Sequence, residues 1–206
     1  MRIKYNAPVV LTFTFISVIV MILTQLIFKD LMDYWFVVPG RGGFSANNPR
    51  NWINLWSHAI GHADWNHLIS NFALILLIGP ILEESYGSLA LLFMMFVTAL
   101  ITGILNIFFF STGLLGASGI VFMMIILASF TNFKRGEIPL TFLLVAALYL
   151  GGEFIASAKP SNVSHFAHIL GGICGSLFGF LRGTEGNPQN KLQSKKKSAA
   201  NQPIDK

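Results

Sequence analysis

The sequence predicts an all-α membrane protein, a bundle of six transmembrane helices with a long first loop that lies on the membrane. Of its 206 residues, 53% are hydrophobic and only 11% are charged, whereas a soluble domain usually carries about 25% charge. Strict alternation of period two is absent, which argues against a barrel and leaves helices as the spanning structure. Six apolar runs can be marked as spans: 8–28, 66–82, 89–111, 117–132, 138–157 and 165–182.

The first run is longer than the apolar part of a typical signal peptide. It also lacks a small-x-small cleavage site before Lys29-Asp30, so we expect it to be retained as a helix. The loop that follows, 29–65, contains all four tryptophans of the chain. Tryptophan is enriched at membrane interfaces, so this loop is predicted to lie on the outer leaflet, with a turn at 39–43.

The later helices end at recognisable signals. Glu83 and Gly87 close the second helix, and Lys134-Arg135-Gly136 closes the fourth, with Pro139 in the first turn of the fifth. From Thr184 onward the chain is polar. We therefore expect one six-helix transmembrane domain at 1–183 and a basic, disordered cytoplasmic tail at 184–206.

The net charge of +5 indicates membrane topology and not nucleic-acid binding. With six helices and a cytoplasmic N-terminus, ten of the Lys and Arg residues fall on one side and four on the other, which fits the positive-inside rule. Both termini are thus predicted to be cytoplasmic, in an inner membrane of a bacterium. The one cysteine, Cys174, lies between glycines in the last helix and can form no intrachain disulfide.

Four polar residues from three predicted helices share one depth, on the outer half of the membrane. Ser118 lies at the outer end of the fourth helix within Gly116-Ala117-Ser118-Gly119, and His168 at the outer end of the sixth. His67 and Asn71 share one face of the second helix. Polar groups there are costly unless paired, and a histidine can remove the proton of a serine as it attacks. Ser118 alone could equally mediate helix packing.

Small residues follow His168 along the last helix. They are expected to bring a neighbouring backbone close to the face of His168, and if that neighbour is the fourth helix, the base comes within reach of Ser118. The glycines are Gly171, Gly172, Gly175 and Gly179. Spacings of four and seven keep Gly172, Gly175 and Gly179 close to the His168 side.

A metal cluster of His58, His62 and His67 is a second interpretation of the histidines. It is disfavoured because no acidic ligand lies beside them in a His-Glu-x-x-His arrangement. Glu153 could approach His168, but its spacing gives no reason to assign it a role. The residues therefore favour a Ser–His dyad without a carboxylate, metal or organic cofactor.

Taken together, these motifs resemble the rhomboid family of intramembrane serine proteases. The resemblance covers roughly residues 8–182 and implies that Ser118 is the nucleophile and His168 the general base. It also implies an oxyanion hole of His67, Asn71 and the Ser118 amide. Supporting residues matched by the resemblance are Gly116, Gly119, Phe122, Gly171, Gly175, His58, His62 and Glu83.

Two positions depart from that family pattern. Phe122 stands where bacterial relatives often have a tyrosine stacked on the catalytic histidine, so the ring remains and the hydroxyl is missing. Residues 52–56 of the first loop replace a Trp-Arg pair that many relatives carry.

The expected function is intramembrane cleavage of transmembrane segments, with substrates entering laterally between the second and fifth helices, as the resemblance implies. Partners are thus transmembrane proteins and the lipid bilayer, and the oligomeric state is left open. Two alternatives from other classes are a catalytically silent relative that binds membrane segments and, less favoured, a small transporter. A transporter would distribute polar residues through the membrane depth, whereas here they cluster at the outer ends.

Overall fold

The computed structural model describes residues 3–28, 30–130, 138–156 and 165–182. Within those ranges the chain is helical, apart from loops and one isolated antiparallel bridge between Val38 and Leu114. The described helices, in chain order, are α1 (Pro8–Leu26), α2 (Leu31–Trp35), α3 (Pro49–Ser57), α4 (Trp65–Tyr86), α5 (Ser88–Phe109), α6 (Ser118–Ala128), α7 (Leu140–Ala156) and α8 (His165–Arg182).

Three of these helices, α1, α4 and α5, are long and apolar enough to cross a membrane. The other three predicted spans correspond to the shorter apolar helices α6, α7 and α8. The all-helical class is therefore confirmed, and each predicted apolar run contains a helix. A count of six complete spans is a prediction that helix length alone does not confirm.

One predicted helix end was misplaced. The fourth run was expected to reach residue 132, but α6 ends at Ala128 because the next two amides bond three residues back and the Ser129 hydroxyl donates to the Ile126 carbonyl at 2.5 Å. The second apolar run was marked to residue 82 with Gly87 expected to close its helix, and this is confirmed: α4 ends at Tyr86 with Gly87 as its C-cap, and Pro80 lies inside it.

The first loop contains two helices that hydropathy did not predict. At the start of α3 the side chain of Asn48 accepts the Arg50 amide at 3.2 Å, and Pro49 occupies the first helical position, both ordinary starting signals. On the buried side of α3, Asn54 donates to the Val37 carbonyl at 2.8 Å. The tryptophans Trp35, Trp52, Trp56 and Trp65 are all exposed, and the position of this loop on the membrane surface stays a prediction.

The centre of the bundle is α6, which packs most extensively on α8 and also on α4 and α5. On the opposite side, α1 packs on α4. There the buried carboxylate of Glu83 accepts the Val9 and Val10 amides at 3.0 and 3.1 Å and the Ser88 hydroxyl at 2.7 Å. Glu83 thus makes structural hydrogen bonds, as expected from its position after the second predicted span.

Several sequence expectations fall outside the described residues. These are the closing Lys134-Arg135 of the fourth span, Lys159, and the basic tail from residue 184. The side chain of Glu153 also lies outside them.

Candidate active site

Ser118 is the first residue of α6, preceded by the buried Ala117 at the N-cap position. The N-terminus of a helix presents backbone N–H groups and a positive dipole end. The hydroxyl and the amide of Ser118 therefore lie where a developing negative charge would be stabilised.

The chain reaches Ser118 through a conformation that glycine favours. Gly116 has φ of +114°, in the region that side chains rarely adopt. A Cβ there would also come within 2.6 Å of Cε1 of His67. Glycine at this position thus lets the segment before the serine lie against the His67 ring.

His168 reaches the same place because α8 approaches α6 unusually closely. A Cβ on Gly171 would overlap the backbone carbonyl of Gly119, and one on Gly175 would overlap that of Met123. A Cβ on Gly119 would likewise lie 3.3 Å from the carbonyl oxygen of Ala167. The expectation that glycines after His168 meet the helix of Ser118 is confirmed for Gly171 and Gly175.

The expectation was wrong for Gly172, which faces Leu150 of α7. Gly179 meets the Phe130 ring, which lies just beyond α6 but within the predicted fourth span, 117–132. Gly171 and Gly172 are successive residues, about 100° apart around the helix, so they cannot both point at α6. α8 is therefore packed through small residues on two sides.

The ring of Phe122 stacks on the imidazole of His168. Their centroids are 4.4 Å apart and their planes differ by 7°. From α7, Tyr149 packs edge-on against the other part of Phe122, at 5.9 Å and 81°. The stacking position that many relatives fill with tyrosine is filled here by a ring without a hydroxyl, which fixes the imidazole plane through packing.

His67 and Asn71 come from the first two turns of α4. Asp64 caps this helix, its carboxylate accepting the His67 amide at 2.8 Å. Asn71 is 6% exposed, and its Nδ2 is buried with no hydrogen-bond partner among the described residues. Such a donor is costly to bury unless a ligand takes its hydrogen bond. The role of Asp64 was missed in the sequence, although an Asp just before an apolar helical run is a common N-cap signal.

A cavity of about 690 Å³ joins these groups. Its wall includes apolar side chains such as Leu74 and Val121, with Asp64, Asn66 and Ser70 on its polar part. The four residues predicted from shared membrane depth all line it: Ser118, His168, His67 and Asn71.

His58 and His62 belong to the first loop, and both are nearly inaccessible. Their Nδ1 atoms lie 3.2 and 3.1 Å from the backbone carbonyls of Asn54 and Ile60, so each Nδ1 carries the proton. Burial lowers the pKa of each ring to about 4. Among the described residues, no three His, Cys, Asp or Glu side chains are grouped so that they could hold a metal ion.

The fold and this cavity define a helical integral membrane protein with a serine and a histidine in one polar site. The sequence matches the Rhomboid domain over residues 49–185, more than half of the chain. It is also 24% identical over 179 residues to the rhomboid protease GlpG of Haemophilus influenzae, covering 85% of this chain and 91% of that protein. The chain belongs to the rhomboid family, and this membership supports an intramembrane protease function.

Proposed function

We propose that this protein is an intramembrane serine endopeptidase that uses a Ser118–His168 dyad to cleave transmembrane segments of other membrane proteins. The single observation that carries the proposal is the cavity that Ser118, His168, His67 and Asn71 line together. The likeness to a rhomboid protease over most of both chains adds support.

In the proposed reaction, the Ser118 hydroxyl attacks a substrate carbonyl while His168 takes its proton. The developing oxyanion is stabilised by His67, Asn71 and the Ser118 amide. His168 then returns the proton to the leaving amine, and water hydrolyses the acyl-enzyme with His168 again as the base. The buried Nδ2 of Asn71 supports its place in the oxyanion hole, since one such donor is typically worth about 10²–10³ in rate.

The phenyl ring of Phe122 packs on the base of the proposed dyad. Stacked 4.4 Å from His168, it limits rotation of the imidazole plane. The base therefore needs no carboxylate partner to keep its orientation in this proposal, and the reaction needs no metal or organic cofactor.

The proposed protease domain comprises residues 1–183, with 184–206 as a cytoplasmic tail. Both termini lie in the cytoplasm of a bacterial inner membrane, because ten of the fourteen Lys and Arg residues then fall on the cytoplasmic side. The cavity opens near the outer face, where water can enter.

The test uses the full chain purified in detergent with a model transmembrane substrate. Ser118→Ala and His168→Ala should each abolish cleavage, since members of a dyad act as a unit, and EDTA should leave the wild type active. Normal cleavage by Ser118→Ala would reject the assignment, and loss of activity on chelation would favour a metal mechanism.

A fluorophosphonate probe separates a protease from a silent member of the family. The wild type should be labelled at Ser118 and His168→Ala should not, because labelling requires an activated hydroxyl. Absence of wild-type labelling, together with retained binding of the substrate segment, would indicate a binding protein.

A further inference from the structure

The amides of the two residues before Ser118 are held by the first loop, while the Ala117 carbonyl accepts the Val121 amide of α6 at 3.0 Å. The Gly116 amide donates to the His58 carbonyl at 2.9 Å, and the Ala117 amide donates to Nε2 of His62 at 3.4 Å. These contacts join positions 55 to 58 residues apart in the chain. The first loop therefore determines where the chain enters the helix that carries the serine.

The imidazole of His62 matches its two partners only in one neutral form. Its Nδ1 lies 3.1 Å from the Ile60 carbonyl and must donate, so the proton is on Nδ1 and Nε2 has a lone pair for the Ala117 amide. The ring is 1% exposed and packs edge-on to His67 at 5.0 Å and against Phe72 at 5.6 Å. Its position is thus fixed from several sides.

The environment keeps that neutral form at physiological pH. Burial lowers the pKa of His62 to about 4, and the charge of nearby His67 lowers it further, against the raising effects of the Ile60 carbonyl and the Asp64 carboxylate. The lone pair on Nε2 therefore remains available to Ala117 throughout the neutral range.

We propose that His62 is a positioning residue for the nucleophile, acting through the Ala117 amide. This inference rests on the proposed function, since it concerns the reactivity of Ser118. Ala117 is wholly buried and is the N-cap of α6, so a displacement there moves both the hydroxyl and the amide of Ser118. Without the acceptor, the serine loses its alignment with His168 and Asn71.

The experiment compares His62→Leu, which removes the acceptor and retains an apolar side chain, with His62→Gln, which supplies a neutral acceptor. For His62→Leu we expect kcat to fall about 100-fold, the loss typical of a displacement near 1 Å, with KM within about threefold. His62→Gln should recover at least about tenfold of that loss, because a neutral carbonyl oxygen again accepts from Ala117. The rate of fluorophosphonate labelling should follow kcat.

The matched control is Asn106→Leu. Asn106 is also buried, at 3% exposure, and its Nδ2 donates to the Thr112 carbonyl at 3.0 Å, holding the same loop six residues before Ser118. It should lower the thermal midpoint about as much as His62→Leu, because each leaves a buried polar group unpaired. Its kcat should change less than about fivefold.

Three outcomes would overturn the inference: a wild-type kcat for His62→Leu, no rescue by His62→Gln, or an equal kcat loss for Asn106→Leu. If His62→Leu does not fold, His62→Asn replaces it, since the shorter side chain draws its acceptor away from Ala117. Equal kcat values for His62→Asn and His62→Gln then overturn it. A wild type that neither cleaves nor labels rejects the proposed function instead, before any variant is compared.

Discussion

The apolar helices α6 and α7 have similar compositions and opposite surroundings. Eight of the eleven residues of α6 are buried, whereas no described side chain of α7 is buried, and Leu148 and Phe154 are each 73% exposed. In a membrane protein such exposed apolar side chains face lipid. Hydropathy predicts both as membrane helices, but only packing shows that the serine lies on the enclosed helix and that α7 presents its side chains to the surface.

The largest effect should come from filling the contact between α6 and α8. Gly171→Ala places a methyl group onto the Gly119 carbonyl, so α8 must move away and carry His168 with it. We expect cleavage of a transmembrane substrate to fall about 100-fold, as for other displacements near 1 Å.

Gly151→Ala in α7 is the matched control, because a Cβ there meets nothing within 4 Å. Its cleavage rate should stay within about twofold of wild type, since a free methyl group on a helix disturbs no packing. Equal losses of cleavage rate for Gly171→Ala and Gly151→Ala would show that α7 is as tightly packed as α6.

The same comparison predicts unequal losses of stability. Met124 of α6 is 1% exposed and Leu148 of α7 is 73% exposed. Met124→Ala should cost about 2–5 kcal/mol in the free energy of unfolding because it leaves a cavity, whereas Leu148→Ala should cost less than about 0.5 kcal/mol. Thermal or denaturant unfolding in detergent measures both, and comparable losses would contradict the difference in packing.

The folded state should also lose stability in acid, because two buried histidines of the first loop, His58 and His62, resist protonation. The pKa of His58 and of His62 is lowered to about 4 from 6.5, so between these values the unfolded chain binds more protons than the folded one. The free energy of unfolding is then unaffected above pH 6.5 and falls as the pH is lowered below that value, by about 1.4 kcal/mol per pH unit for each ring. The helix α7 contains no histidine and contributes nothing to this loss.

The unfolding midpoint measured from pH 6.5 to pH 5 tests this, since carboxylates titrate mostly below that range. His62→Gln should make the dependence shallower by removing one of the two rings. A midpoint that does not change with pH would show that the two rings are protonated in the folded state.

The smallest effect concerns Phe122, which touches His168 on one side and Tyr149 of α7 on the other. Phe122→Ala should lower kcat about tenfold, since an aromatic pair is worth about 0.5–1.5 kcal/mol, and Phe122→Tyr should preserve it. Tyr149→Ala, which removes only the contact from α7, should change kcat less than about twofold. A larger loss for Tyr149→Ala would assign α7 a direct part in holding the base.

The sequence alone was enough to predict that Ser118, His168, His67 and Asn71 lie together, as they do around one cavity, because spans predicted to run in the same direction bring their corresponding ends to one depth. The closeness of α6 and α8 followed from the glycines after His168. Which of those glycines faces α6 did not follow, since the rotation of a helix about its axis depends on both neighbours, and Gly172 packs on α7 instead.

The contacts between the first loop and the segment before Ser118 were not predictable in the same way. The bond from Ala117 to His62 and the bridge between Val38 and Leu114 join positions 55 and 76 residues apart, and no local pattern marks such partners. The helix α3 was missed because it lies along a loop and is too short to produce an apolar run of membrane length.

The hydrogen bonds that the Val9 and Val10 amides donate to Glu83 have a consequence for the order of synthesis. The first amides of a helix have no partner within it, and in this protein their partner is made 73 and 74 residues later. While the chain is being translated, the start of α1 must therefore rely on water until α4 has emerged. The start of α1 is thus completed by the end of α4, so this contact between the two helices can form only after residue 83 has been synthesised.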